Sequence, residues 1–135
     1  MVDRFFRLIS HAVAYQRTLF SSGPNYLIFF ITGRCNLRCS FCFYLDEIEN
    51  ADKERELTVE EISKIAKGSP TLYHITFTGG ETFLRDDFDE IVKLFYRFSN
   101  TRSVTITTNG TYPERVGKMI EEIAKSCPNL IVRVP

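Results

Sequence analysis

Three short strand-like runs, each followed by a longer amphipathic segment, set the architecture this chain can adopt. "YLIFFIT" (26–32), "LYHITFT" (72–78) and "SVTITT" (103–108) are rich in aromatic and β-branched residues, the composition of strands. The first run is apolar throughout and predicts a fully buried strand. Helical spacing follows the other pieces. Thr58 and Glu61 form a capping box for a helix over 58–67, whose stripe is Val59, Ile62, Ile65 and Ala66. A second helix spans 87–98, with Phe88, Ile91, Val92, Phe95 and Phe98 on one face. Pro113 suits the first turn of a third helix, because its missing N–H has no partner to lose there. Val116, Met119, Ile120, Ile123 and Cys127 line that helix. After Pro128, "NLIVRV" starts a fourth strand. Strands alternating with helices predict a parallel sheet in an α/β fold.

The ends of this pattern are less regular. Residues 3–20 predict an amphipathic helix, with Phe5, Ile9, Ala12, Val13, Gln16 and Phe20 on one side and Arg4, Arg7 and Arg17 elsewhere on the wheel. "SSGPN" (21–25) breaks it. Its apolar face suits a membrane surface or a partner, but packing on the main body is the expectation. "LDEIENADKERE" (45–56) reads as a loop or a weak helix.

Composition excludes several classes. The 17 basic and 17 acidic residues cancel, with no block of like charge to attract nucleic acid. No apolar run is long enough to span a bilayer, and the N-terminus lacks the pattern of a signal peptide. A cytoplasmic protein is expected, in which thiols stay reduced and clustered cysteines signal metal or catalysis.

Such a cluster directly follows the first strand. Cys35, Cys39 and Cys42 fall within "CNLRCSFC", whereas the fourth cysteine, Cys127, belongs to an apolar helical stripe. Thiolates suit zinc, copper(I) and iron–sulfur clusters. Structural zinc takes four ligands, and no second cysteine pair is present; His11 and His74 are isolated and read as ordinary packed or hydrogen-bonded side chains. Three thiolates suit a four-iron cluster with one iron left open to a further ligand. An electron-transfer protein with Cys127 as fourth ligand, or a zinc-binding interaction module, are the alternatives. "TGGE" (78–81) and "TTNG" (107–110) occupy the corresponding place after the second and third strands. In α/β folds the loops after strand ends carry the chemistry, so neighbouring strands would bring all three loops to one site.

"CNLRCSFC" resembles the C-x3-C-x-aromatic-C signature of the radical S-adenosylmethionine (radical SAM) family, with Phe41 at the aromatic position. The resemblance implies a [4Fe-4S] cluster on Cys35, Cys39 and Cys42. Its open iron would bind the amino and carboxylate groups of S-adenosyl-L-methionine, and an electron from it would release methionine and a 5′-deoxyadenosyl radical that abstracts hydrogen from a substrate. Phe41 would stack near the adenine or cover the cluster. Gly79 and Gly80, with Glu81 nearby, would hold the methionyl amino group, and Thr82 stands where relatives carry proline. Thr107 would contact the methionyl carboxylate or the ribose, with Asn109 shaping the loop; a plain turn is the other reading of Asn109-Gly110. Arg34 and Arg38 read as solvated arginines or as compensation for cluster charge. Asp86 and Asp87 read as acids favouring a helix start.

The resemblance covers residues 26–135. It implies the N-terminal portion of a (β/α)6 partial TIM-type barrel, preceded by the helix of residues 1–22, with about four strands and three helices. Such a barrel needs roughly 200 residues or more, so the chain is expected to be the first part of a longer or split enzyme lacking its C-terminal half. The implied partners are S-adenosylmethionine, an electron donor such as flavodoxin or ferredoxin, and an unidentified substrate, a peptide or a small metabolite, by likeness to peptide-maturation and cofactor-maturation enzymes.

Overall fold

The computed structural model describes residues 2–20, 23–128 and 130–134. The side chains of residues 2–4, 7, 14, 17, 18 and 54 lie outside that description. The expected wheel positions of Arg4, Arg7 and Arg17 therefore fall outside it, as do Ser21 and Ser22 of the expected break and Asn129 ahead of the last strand.

Strands β1 (Tyr26–Thr32), β2 (His74–Gly79), β3 (Ser103–Ile106) and β4 (Ile131–Arg133) form one sheet in the order β1-β2-β3-β4, with every pair parallel. Each strand lies beside its successor, as in a barrel wall. A doubly wound sheet would reverse its order at a switch point. Helices α1 (Val2–Leu19), α2 (Leu45–Glu49), α3 (Val59–Gly68), α4 (Phe88–Phe98) and α5 (Pro113–Ser126) complete the fold, with single 3-10 turns at Lys53–Arg55 and Thr82–Leu84. Right-handed crossovers between neighbouring parallel strands put successive helices on the same face. Accordingly α3 packs on α4, and α4 on α5.

The result is an open α/β wall with no closed barrel among the described residues. One sheet face and the helices share a core. Leu27, Phe29 and Ile31 of β1, Ile75 and Phe77 of β2, and Val104 and Ile106 of β3 meet Ile62, Phe88, Ile91, Val92, Phe95 and Ile123. Phe77 is central to it, in edge contact with Phe88 at 5.4 Å and Phe95 at 5.9 Å. The other face of the sheet is open. "YLIFFIT" was expected to be buried throughout, yet Tyr26, Ile28 and Phe30 are 49%, 54% and 42% exposed. Alternation along the strand sends these three to the face that no helix covers.

Local signals explain most boundaries. The capping box of α3 is present, with Thr58 accepting from the Glu61 N–H and Glu61 accepting from the Thr58 N–H. The weak polar stretch holds the short α2 and one 3-10 turn. Asp86 and Asp87 do not serve the α4 N–H groups as expected. Asp87 takes two bonds from Arg85, at 2.8 and 2.7 Å, and Asp86 takes one from Arg115 at 2.6 Å. A guanidinium offers a carboxylate a stronger, forked partner than loose helix N–H groups do.

Helix α1 departs from the expected packing. Tyr15 rests edge-on against Tyr73 at 5.8 Å, but Phe5, Phe6 and Leu8 are exposed. Among the described residues, no helix is long and apolar enough to cross a membrane.

Candidate cofactor site

Parallel pairing places the segments after β1, β2 and β3 on one rim of the sheet. Backbone bonds stitch them together there. The Gly80 N–H donates to the Thr32 carbonyl at 2.9 Å, and the Glu81 N–H to the Arg34 carbonyl at 2.8 Å. The two glycines explain this close approach. A Cβ at Gly79 would run into the Thr32 carbonyl oxygen, and one at Gly80 into that of Arg34. Gly79 also has φ of 129°, a conformation other residues avoid. The diglycine thus forms the wall on which the cysteine segment leans.

Glu81 joins the third segment to the second. Its side chain is 1% exposed. Its carboxylate accepts from the Phe83 N–H at 3.1 Å, the Thr108 hydroxyl at 2.8 Å and the Asn109 N–H at 2.7 Å. Three donors from the second and third segments thus occupy the buried carboxylate. Thr107 lies on the open face beside Thr78, with its hydroxyl donating at 2.9 Å. Thr108, which no local pattern singles out, is the threonine that bonds Glu81.

The three cysteines are free thiols, each partly exposed on the same segment. The Cys42 N–H donates to the Cys39 carbonyl at 3.0 Å, closing a turn between them. Cys35 receives the Leu37 N–H at 3.5 Å and the Asn109 side-chain N–H at 3.8 Å on its sulfur. Phe41 does not cover these thiols, for its ring is 89% exposed. Among the described residues, no three His, Cys, Asp or Glu side chains converge on a single ion. A cube asks something different, since each thiolate takes its own iron. Three accessible soft donors on one short segment, with N–H groups directed at the Cys35 sulfur, fit such a group.

Cys127 is remote from this rim. It is 2% exposed, directly follows α5, and accepts from the Leu130 N–H ahead of β4, at the rim where the strands begin. Burial pushes its thiol pKa up, which suits an inert core residue.

A buried ionic network braces the cysteine segment from below. Arg85, with a side chain 4% exposed, donates to the carbonyls of Ile31 and Leu57, each at 3.0 Å, and to Asp87. Glu56 accepts from the Thr32 hydroxyl and from Arg34, at 2.8 and 3.1 Å. Arg34 is therefore paired, and Glu56 raises its pKa further. Arg38 donates to the Cys35 and Leu37 carbonyls at 3.0 and 3.1 Å. Neither Glu56 nor Arg85 stood out in the sequence. Their partners lie up to 54 residues away, and nothing in the local pattern marks such pairs.

A cysteine turn, a diglycine wall and an Asn-Gly turn on consecutive parallel strands define an iron–sulfur, α/β barrel type of protein. The chain belongs to the radical SAM superfamily, whose family model matches residues 29–133. Members of that family use a [4Fe-4S] cluster and S-adenosylmethionine. Among curated relatives, a GTP 3′,8-cyclase of Alkaliphilus oremlandii is 30% identical over 119 residues, covering 87% of this chain and 37% of the relative. A probable GTP 3′,8-cyclase of Methanocella arvoryzae is 42% identical over 83 residues, covering 60% and 25%. The human molybdenum cofactor biosynthesis protein 1 is 30% identical over 128 residues, covering 91% and 20%. The chain thus spans little more than a third, or less, of these relatives' length.

Proposed function

We propose that this chain supplies the cluster-bearing part of an enzyme that cleaves S-adenosylmethionine reductively. The observation that carries the reading is the stitched rim, where the segment bearing the three free thiols, the diglycine wall and the Asn-Gly turn meet through direct hydrogen bonds. Cys35, Cys39 and Cys42 would each hold one iron. When bound, the group supplies one-electron cleavage of the sulfonium S–C5′ bond. Gly79 and Gly80 would present backbone groups to the methionyl ammonium, while Glu81 holds the third segment in place. Thr107, on the open face, would meet the methionyl carboxylate or the ribose, and the exposed Phe41 ring would meet the adenine.

The remaining assignments follow from this one. Residues 26–135 would form the first part of the barrel, and a C-terminal half would supply the substrate-facing segments. The electron would come from a flavodoxin or ferredoxin type of donor. The aligned portion of the relatives holds the cofactor rim, so the likeness argues for the chemistry first. The names of these relatives make GTP the substrate to assay first, ahead of peptides and other small metabolites.

Anaerobic reconstitution with iron and sulfide tests the reading. The expected result is a four-iron cluster whose EPR spectrum changes on adding S-adenosylmethionine, with 5′-deoxyadenosine formed by the full-length protein. Replacing any of Cys35, Cys39 or Cys42 with alanine abolishes that cluster. Tightly bound zinc without sulfide, or a cluster blind to S-adenosylmethionine, overturns the proposal.

A further inference from the structure

The Asn-Gly turn carries a hydrogen-bond ring that the cofactor reading does not use. Asn109 Oδ1 accepts from the Thr111 N–H at 3.0 Å and from the Thr111 hydroxyl at 2.7 Å. A backbone N–H can only donate, so that end of the amide must be oxygen. The Thr111 hydroxyl in turn accepts from Asn36 Nδ2 at 2.8 Å, and Asn109 Nδ2 donates to Asn36 Oδ1 at 2.8 Å. The ring closes, with the Asn109 backbone N–H anchored on buried Glu81. The same amide nitrogen, held in this orientation, also donates to Cys35 Sγ, 3.8 Å away.

Cys35 is the favoured cysteine in this respect. Its sulfur also receives the Leu37 N–H, and no comparable donor reaches the sulfurs of Cys39 or Cys42 among the described residues. An N–H directed at a ligating sulfur places positive charge beside it and stabilises the more negative, reduced state of a cluster.

We propose that Asn109 is a positioning residue that aims its side-chain N–H at Cys35, so that the turn after β3 helps set the potential at which the cluster accepts its electron. The inference rests on the cluster reading above and adds a role for a residue otherwise explained as a turn former. Thr111 and Asn36 fix the amide's orientation, and Glu81 fixes its backbone. The third segment thereby acts on the first across 74 positions of sequence.

The test is an EPR-monitored redox titration of the reconstituted full-length protein, without substrate. Asn109→Ala removes the donor. Asn109→Asp keeps an oxygen for the Thr111 donors but replaces the N–H with negative charge. Both are expected to retain the cluster and to shift its midpoint potential to more negative values, Asn109→Asp further. Thr111→Val leaves the amide but frees its orientation, and is expected to shift the potential less, in the same direction. Potentials equal to that of the parent protein, at equal iron content, overturn the proposal. Should the Asn109 variants take up no cluster, pulsed EPR of the parent protein labelled with 15N at asparagine side-chain amides decides. A nitrogen coupling to the reduced cluster supports the role, and its absence overturns it. A parent protein that assembles no cluster removes this proposal together with the cluster reading, whereas a loaded parent with unshifted variants removes this proposal alone.

Discussion

The α-carbon of Gly80 faces the carbonyl oxygen of Arg34 with no room for a side chain between them. The residue before the first cysteine and the second glycine of the diglycine thus share one wall. Gly80→Ala is expected to destabilise the protein by about 1–3 kcal/mol, as overpacking against a rigid group does, and to lower iron uptake. Gly110→Ala is the companion. Its φ is positive, at 72°, which that of Gly80 is not, and nothing lies within 4 Å of the added methyl. Its cost should be about 1 kcal/mol, with iron uptake retained. Urea unfolding and iron analysis compare the two.

Arg85 is the buried brace beneath the cysteine segment, and its loss strands several partners at once. Arg85→Ala leaves two carbonyls and the Asp87 carboxylate without their donor and is expected to cost roughly 3–5 kcal/mol. Asp86→Asn disturbs only exposed pairs, with Arg115 and with Lys53 at 4.0 Å, and should cost less than about 1 kcal/mol. Thermal melts of the two variants separate these outcomes.

His74 makes the open face sensitive to acid. Its ring stacks on Tyr26 at 5.1 Å, bonds Ser103 at 2.9 Å and lies near Thr76, with Arg133 reaching the same Ser103. Burial, and then the charge of Arg133, lower its pKa below the ordinary value. The unfolded chain therefore binds the proton more readily than the folded one. The stability that depends on this is complete above about pH 6.5 and falls away as the pH drops toward the lowered folded value. His74→Gln should flatten that slope, seen as a smaller difference between urea midpoints at about pH 8 and about pH 5.5.

Cys127 separates the cluster reading from an electron carrier with four cysteine ligands. Cys127→Ser is expected to leave iron and sulfide content unchanged while lowering stability by about 1–3 kcal/mol, the cost of a poorly partnered hydroxyl in the core. Loss of the cluster in this variant would instead make Cys127 a ligand.

Much of this arrangement is legible in the residues. Apolar runs and helical stripes mark β1 to β4 and α3 to α5, because period and capping are local properties. The meeting of Cys35, Gly79 and Asn109 on one rim follows from their places after consecutive strands. Burial of the whole first strand was misread, because an apolar run does not reveal that helices cover one face only. The engagement of Glu81 with Thr108 and the Asn109 N–H was not legible either. A motif gives a residue's position along the chain, whereas its hydrogen-bond partners depend on how the third segment bends after Ile106. Glu56 and Arg85 remained hidden for the same reason, since long-range ion pairs leave no periodic trace.

The bonds that hold the second turn against the first join N–H groups of Gly80 and Glu81 to carbonyls of Thr32 and Arg34. Main-chain atoms are common to every amino acid, so this seam survives exchange of the side chains along most of its length and demands only that the two glycines stay small. The shape of the rim can therefore be inherited while the letters around it change, and divergence can work on what the site recognises without dismantling how it is held.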